Sequence, residues 1–145
     1  MIYEKRRVKY TCINGSRLVD WAHVHHEFEI VYATESGAAA ICDGVEYVLD
    51  EGDLFFSFPH TIHSYRMIKE KAAHTLLVFS PDDFPAFTKL LLNFRPSYPV
   101  VKNCNERIRN IIAQLKEIKG TEYYEQKLYA YVTLLISEAL PCLEL

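Results

Sequence analysis

The sequence has few glycines and prolines, five and six among 145 residues. This scarcity excludes collagen-like and low-complexity chains, which need one or both residues at high frequency. Half of the residues are hydrophobic and about a quarter are charged, so the composition also differs from that of disordered chains. We therefore expect a folded chain, and its length suits one domain with a buried core.

The chain also carries no net positive charge. The chain has sixteen lysines and arginines and nineteen aspartates and glutamates, which gives a formal net charge of −3. The basic residues are scattered, apart from the short cluster Lys5–Arg7. Because nucleic-acid binding depends on concentrated positive charge, we do not expect this chain itself to contact nucleic acid.

Long apolar runs and closely spaced cysteines are absent as well. The beginning, MIYEKRRVKY, lacks the apolar segment of a signal peptide, and the late uncharged run LYAYVTLLIS is too short to span a bilayer. The cysteines lie far apart and form no C-x-x-C pair; they are Cys12, Cys42, Cys104 and Cys142. We expect no membrane segment and a reducing, cytoplasmic location.

What the first eighty residues contain instead is a series of strand patterns. The short runs rich in β-branched and aromatic residues are RRVKYTCI, HEFEIVYATE, AAAIC, VEYVL, DLFFSF, HSYRMI and HTLLVF. Turn signals such as Asp43-Gly44 and Asp50-Glu51-Gly52 separate them. Since no helical pattern lies between these runs, residues 1–80 predict a β-sandwich or small barrel.

The pattern becomes helical after Phe79. Ser80 can cap a helix, Pro81 suits its first position and two acids follow, so we predict a helix that runs to about Phe94. The stretch RPSYP then predicts a break. Residues 81–102 are therefore expected to form a helix and a connecting segment.

Two further helices are predicted within residues 103–145. Asn103, which can cap with Glu106, starts the first helix, and Gly120 ends it. Thr121 can cap the second. Its apolar side is wider than one stripe, which fits either an interface with a second copy of the chain or a helix that covers the barrel. Neither half can bury its apolar surface alone, so we expect a single domain over residues 1–145.

The stretch WAHVHHEFEIVYATESG places several polar side chains in an otherwise apolar strand pattern. Side chains alternate sides along a strand, so His23, His25 and Glu29 are predicted to share one side. His26 and Phe28 then project to the other side. Because unpaired polar groups are costly in a buried strand, this polar side indicates a functional site.

A fourth candidate lies at the beginning of a later strand. His63 follows the turn, strand and loop EGDLFFSFPHTI, which places it at the mouth of the predicted barrel. Three imidazoles and a carboxylate form a ligand set suited to Zn²⁺, Fe²⁺, Mn²⁺ or Ni²⁺, with one coordination position left open. The alternative is a metal-free pocket in which the same side chains hydrogen-bond a small molecule.

The order H-x-H-x-x-x-E, a later glycine, D-G, and E-G-D-L followed by P-x-x-x-H resembles the two motifs of the cupin superfamily. The order of strands and helices more specifically resembles the amino-terminal effector-binding domain of AraC-type transcriptional regulators. This resemblance implies a mainly β, jelly-roll-like cupin barrel with C-terminal helices, a small polar effector that is often a sugar, and dimerisation through the helical pair. The residues at the positions that hold metal in cupin enzymes are His23, His25, Glu29 and His63.

The sequence departs from the metal-binding cupin pattern in several places. Arg17 stands where a glycine is expected, Gly37 comes one residue late, and the second motif is shortened. Met67 stands where cupin enzymes tend to have asparagine. All ligand-type residues remain, so a bound divalent transition metal and a metal-free pocket both stay open.

Two aromatic residues are further candidates for effector binding. Trp21 shares the parity of His23 and can stack on a sugar ring, and Tyr65 shares the parity of His63. A lone tryptophan is more often a core or lid residue, and ordinary filling of a barrel explains Tyr65 equally well.

Two functions follow from the resemblance. In the first, the chain is the effector-sensing and dimerisation domain of an AraC-type regulator, has no catalytic residue, and leaves DNA contact to a helix-turn-helix domain that this sequence does not contain. In the second, it is a small metal-dependent cupin enzyme, an oxygenase or sugar isomerase, that uses the same metal-ligand residues. The final helical pair favours the regulator, because a minimal cupin enzyme does not need it.

Overall fold

The computed structural model describes residues 2–3, 10–18 and 20–145 and shows two sheets. In spatial order, the first sheet contains β1 (Ile2–Tyr3), β3 (His23–Val24), β8 (His63–Met67), β5 (Ala38–Cys42) and β6 (Val45–Leu49). The second contains β10 (Val100–Val101), β7 (Leu54–Ser57), β4 (Phe28–Ala33), β9 (His74–Phe79) and β2 (Tyr10–Gly15). The cluster Lys5–Arg7 and the first residues of the predicted strand RRVKYTCI lie outside the described residues.

The chain passes repeatedly from one sheet to the other. β3, β5, β6 and β8 belong to the first sheet, whereas β4, β7 and β9 belong to the second. β1 and β3 pair in parallel, and all other described strand pairs are antiparallel. This arrangement is jelly-roll-like, with two separate ladders rather than one closed barrel, and it confirms the predicted fold class.

One apolar core lies between the two sheets. Val31 and Phe55 of the second sheet contact the same buried cluster as Ala40 and Tyr65 of the first. Ala40 of β5 faces this space, and Ala38 shares its side because alternate residues of a strand project to the same side. The hairpin that joins β5 to β6 turns at Asp43 and Gly44, whose φ angles are 49° and 82°, as the Asp-Gly signal predicts.

A second core lies on the other side of the second sheet, under the helices α1 (Thr88–Asn93), α2 (Glu106–Glu117) and α3 (Tyr124–Ala139). Phe28 and Ile30 of β4 belong to this core. β4 is therefore buried on both sides, as its apolar sequence predicts. Val132 and Ile136, which widen the apolar side of α3, are also buried in this core. The part of α3 that carries these two residues therefore packs over the second sheet.

The predicted helix from Ser80 to Phe94 is wrong in its extent. Ser80 does act as a cap, since its hydroxyl accepts a hydrogen bond from the Asp82 N–H, but only a turn of 3₁₀ helix follows, Pro81–Asp83. The chain then breaks at Pro85, which lacks an N–H and disfavours helical geometry in the residue before it. α1 begins several residues later.

Both predicted caps of the final helices are also wrong. The cap of α2 is Asn105, whose side chain accepts from the Ile108 N–H, whereas Asn103 has a φ angle of 48°. The Thr121 hydroxyl donates back to the Ile118 carbonyl and does not cap α3. Sequence alone could not choose between two asparagines spaced so closely.

Within the described ranges, no helix has the length and hydropathy that crossing a bilayer requires. All four cysteine thiols are free.

Candidate functional site

Four polar side chains meet in the space between the sheets. They are His23, His25, Glu29 and His63, each at most 3 % exposed. His23 of β3 pairs directly with His63 at the start of β8. Glu29 belongs to β4 of the opposite sheet. The structure thus brings together all the metal-ligand candidates selected from the sequence.

The route by which these residues meet differs from the predicted one. The parity argument treats residues 23–29 as one strand, but β3 ends at Val24 and β4 begins at Phe28 in the other sheet. The chain crosses between the sheets at this point. The side chains converge because β3, β4 and the crossing segment that carries His25 all direct them to the space between the sheets.

One oxygen of Glu29 lies at the centre of the cluster. Its Oε2 is 3.0 Å from His25 Nε2, 3.1 Å from His63 Nε2 and 3.9 Å from His23 Nε2. One possible ligand atom from each of the four residues lies within 4.8 Å of the others. The second oxygen, Oε1, accepts a hydrogen bond of 2.8 Å from the Tyr65 hydroxyl.

Main-chain carbonyls orient the three imidazole rings. Nδ1 of His23 lies 3.0 Å from the Trp21 carbonyl oxygen. Nδ1 of His25 lies 2.9 Å from the carbonyl oxygen of residue 27, and Nδ1 of His63 lies 2.9 Å from that of residue 61. Since a carbonyl only accepts, each Nδ1 carries a proton, and the Nε2 atoms are the ones directed at Glu29.

With this tautomer, the cluster needs positive charge or additional protons between the Nε2 atoms and Glu29. A neutral imidazole protonated at Nδ1 presents a lone pair at Nε2, and here those lone pairs would meet a carboxylate. The arrangement becomes favourable only when a cation or additional protons lie among these atoms. The donor set therefore fits a divalent metal, whose histidine ligands are commonly oriented by hydrogen bonds at the other ring nitrogen.

The pKa of Glu29 depends on the side chains that surround it. Burial raises the pKa of this carboxyl, but hydrogen bonds from His23, His25 and His63 outweigh burial and hold the pKa well below its ordinary value. Glu29 is therefore a buried carboxylate that depends on its neighbours for compensation.

Ser57 is a member of the cluster that the sequence analysis missed. It pairs with Glu29 in the register of β7 and β4, and its hydroxyl lies 3.2 Å from His63 Nδ1. The sequence does contain a pattern that could have identified it, because Ser57 is the only polar residue of the strand LFFS. A lone hydroxyl in an otherwise apolar strand indicates a buried hydrogen-bond partner.

A cavity of about 360 Å³ adjoins the cluster and shares Tyr65 with it; the lining residues are Arg17, Leu18, Asp20, Ile41, Tyr65, Arg66 and Met67. This volume lies in the usual range of small-molecule sites. Tyr65 was predicted as a pocket residue. Arg17 and Asp20 were not, because they lie in an irregular segment where strand parity gives no information.

The remaining aromatic and histidine candidates lie in different places. Trp21 is 50 % exposed and does not line the cavity; its part in effector binding stays a prediction. His26 and His60 lie at the surface and contact each other. His74 is buried beside Gly15 of β2, and this burial lowers its pKa.

Solved structures share the fold of this chain. ToxT K231A from Vibrio cholerae superposes with a TM-score of 0.57 at 12% identity, over 94% of this chain and 57% of that one. ToxT with a bound unsaturated fatty acid gives 0.55 at 11% identity, over 92% and 54%. The AraC-like transcriptional activator CuxR gives 0.54 at 15% identity, over 77% and 42%.

These likenesses concern the fold alone, and the chain spans a little over half the length of the ToxT chains it matches. No curated protein sequence gives a significant match. The family model for the AraC-like ligand-binding domain, by contrast, matches residues 15–140. Because that match includes the buried cluster, most of both sheets and all three helices, the chain belongs to the AraC-like ligand-binding domain family.

Proposed function

We propose that this chain is the effector-sensing and dimerisation domain of an AraC-type transcriptional regulator and acts in the cytoplasm. The observation that carries the proposal is a buried His and Glu cluster beside a cavity of about 360 Å³, in a domain of the AraC-like ligand-binding family. DNA contact is assigned to a helix-turn-helix domain outside these residues, in agreement with the negative net charge of the chain.

The effector is a small polar molecule with hydroxyl or carboxyl groups. Imidazole, carboxylate and phenol side chains suit the hydroxyls of a sugar, and Leu18 and Met67 suit its apolar faces. Structures of ToxT contain an unsaturated fatty acid and (E)-4-(8-methylnaphthalen-1-yl)but-3-enoic acid. Both are carboxylic acids, so small acids belong beside sugars among the compounds to be tested.

Strand β4 gives a route from the cavity to the helices. Glu29 projects towards the cluster, and Tyr32, three residues later, projects to the other side, where its hydroxyl accepts a hydrogen bond of 3.3 Å from Arg109 of α2. An effector that shifts Glu29 or Tyr65 therefore acts on a strand that also contacts α2. A change in the population of two helix arrangements is the mechanism we propose.

We also propose that the buried cluster binds a divalent transition metal, Zn²⁺, Fe²⁺, Mn²⁺ or Ni²⁺. The three Nε2 atoms and Glu29 Oε2 would hold the ion, and the hydrogen bonds at Nδ1 would orient the rings. A bound ion would supply a Lewis acid to a hydroxyl or carboxyl oxygen of the effector. The same donor set supports the second candidate function, a metal-dependent cupin enzyme.

Effector binding is expected to raise the melting temperature of the chain. A ligand at a hundred times its Kd adds about 2.7 kcal/mol of stability, which corresponds to roughly 8 °C for a domain of this size. Differential scanning fluorimetry with sugars, polyols and small acids measures the shift. Tyr65→Phe is expected to weaken binding of the active compound about tenfold, because one hydrogen bond is lost.

Tyr98→Phe serves as the control, since Tyr98 is an exposed tyrosine that does not line the cavity. A panel in which no compound shifts the melting temperature would count against an effector-binding role. A compound that is consumed by the metal-loaded chain instead of merely bound would favour the enzyme.

The exposed side of α3 is the proposed dimer interface. Ala130 and Leu134 follow each other at helical spacing and are exposed, and Tyr131 beside them is half-buried. Leu134 is 51 % exposed, and its apolar surface next to Ala130 and Tyr131 suits a contact with another protein surface. We propose that a second copy covers this side.

Leu134→Glu is expected to weaken self-association roughly thirtyfold, because a central apolar contact is replaced by a charge on both copies. Light scattering after size-exclusion chromatography measures the mass over a concentration series. Leu92→Glu is the matched control, an exposed leucine on α1. A chain that stays monomeric at high concentration, or a Leu134 variant that associates as before, would contradict the interface.

A further inference from the structure

Away from the buried cluster, two further histidines and an aspartate meet at the surface. We propose that His26 and His60 bind a divalent ion of the kind that imidazoles prefer, such as Zn²⁺, Cu²⁺ or Ni²⁺. Asp82 orients one of the two ligands. This site does not depend on the proposed function or on a metal in the buried cluster.

The hydrogen bonds of His26 give it the tautomer of a metal ligand. Its Nε2 lies 2.9 Å from Asp82 Oδ2, and its Nδ1 lies 3.0 Å from His60 Nε2. The carboxylate only accepts, so Nε2 carries the proton and a neutral His26 directs a lone pair from Nδ1 towards His60. A carboxylate bonded to the far nitrogen is a common feature of metal-binding histidines.

The spacing of the two nitrogens is close to that of two ligands on one ion. With metal–nitrogen distances of about 2.0–2.1 Å, two tetrahedral ligands lie about 3.3 Å apart. The nitrogens here are 3.0 Å apart, and the two rings are inclined by 54°. A few tenths of an ångström of widening therefore lets an ion replace the proton that the two rings share.

The backbone fixes His60 in a costly conformation that faces His26. Its φ angle is 59°, in the left-handed region that non-glycine residues rarely adopt. The His60 N–H donates to the His25 carbonyl at 2.9 Å, and Arg95 donates to the His60 carbonyl at 2.8 Å. Such conformations persist where the surroundings hold them, and they concentrate at functional sites.

The position of the site separates it from the buried cluster. The His26 side chain is 34% exposed and that of Asp82 is 63% exposed, so an ion can enter from solvent and keep bound water. The ligands come from the segment between β3 and β4 and from the loop before β8, and Asp82 lies in the turn after β9. An ion here would tie that turn, which leads to the helices, to both sheets.

Zinc titration of the chelator-treated chain, followed by calorimetry, tests the proposal. The unmodified chain is expected to bind one equivalent more than His60→Gln. Asp82→Asn should keep that equivalent with an affinity at least tenfold weaker, because a partner of a ligand is lost. Asp83→Asn is the matched control, since Asp83 bonds to Tyr129 and not to either histidine.

Equal numbers of equivalents in the unmodified chain and in His60→Gln would overturn the proposal. The test compares the number of bound equivalents in two proteins that share the same buried cluster. The comparison therefore holds whether or not that cluster binds an ion. If His60→Gln does not fold, ¹⁵N spectra of the imidazoles in the unmodified chain decide. Zinc should shift the signals of His26 Nδ1 and His60 Nε2, and unchanged signals would exclude the site.

Discussion

Glu29→Gln is expected to destabilise the metal-free chain by about 3 kcal/mol at neutral pH. Glu29 is almost fully buried and accepts hydrogen bonds from His25, His63 and Tyr65. Replacing the carboxylate by an amide takes an acceptor oxygen away from the buried cluster, and buried polar groups left without a partner are costly. Urea denaturation in the presence of a chelator measures the loss.

Glu46→Gln is the matched control for this loss. Glu46 accepts two hydrogen bonds from Arg66, but both side chains are exposed. Water screens such a pair, so the change is expected to be much milder than that at Glu29. If Glu29→Gln were as mild as the control, or stabilising, the stability of the folded chain would not depend on the Glu29 carboxylate.

The effect of Glu29 is also expected to depend on pH. Because its pKa in the folded chain lies well below the ordinary value of 4.5, the folded state favours the ionised form. This contribution is fully present above about pH 4.5 and is lost as the pH falls through the folded pKa. The stability difference between the unmodified chain and Glu29→Gln should therefore shrink below pH 4.5.

The same variant tests the proposed metal. Elemental analysis of the unmodified chain, purified without a histidine tag, is expected to give close to one equivalent from the buried cluster. Glu29→Gln removes one ligand and should lose most of it. Less than about a tenth of an equivalent in the unmodified chain would exclude a metal in this cluster.

The sequence predicted those parts of the site that lie on strands or in the short segment between β3 and β4. Parity along a strand grouped His23, His25 and Glu29, and the short loop after Pro59 placed His63 within reach. The prediction was right about the group although the chain changes sheets between Val24 and Phe28. Both strands face the same interior, so the change of sheet did not alter which side is polar.

Features that depend on distant parts of the chain could not be predicted in this way. His74 is buried because Gly15, its partner in the register of β2 and β9, has no side chain to keep the ring out. Arg17 reaches the cavity from a segment without regular structure. Neither arrangement leaves a periodic pattern, since each depends on which segments become neighbours in the fold.

A second large effect is expected at the turn between the sheets, where Gly52→Ala should cost about 3 kcal/mol. Gly52 has a φ angle of 87°, which costs alanine about 1 kcal/mol. An added Cβ would also lie 2.2 Å from Arg109 Nη2. The guanidinium must then move, although it donates to the Cys104 carbonyl, the Asn103 side chain and the Tyr32 hydroxyl. Losing these bonds adds about 2 kcal/mol.

Gly44→Ala separates the two causes. Gly44 has a similar φ angle of 82°, but nothing lies within 4 Å of its added Cβ, so it should cost only about 1 kcal/mol. The double variant with Gly52→Ala and Arg109→Ala should lose much less stability than the two single variants lose in sum, because both changes remove the same contacts. Equal losses in the two glycine variants would mean that Arg109 adapts freely. It would then not be a rigid link between β4, which carries Glu29, and the helix that we propose responds to the effector.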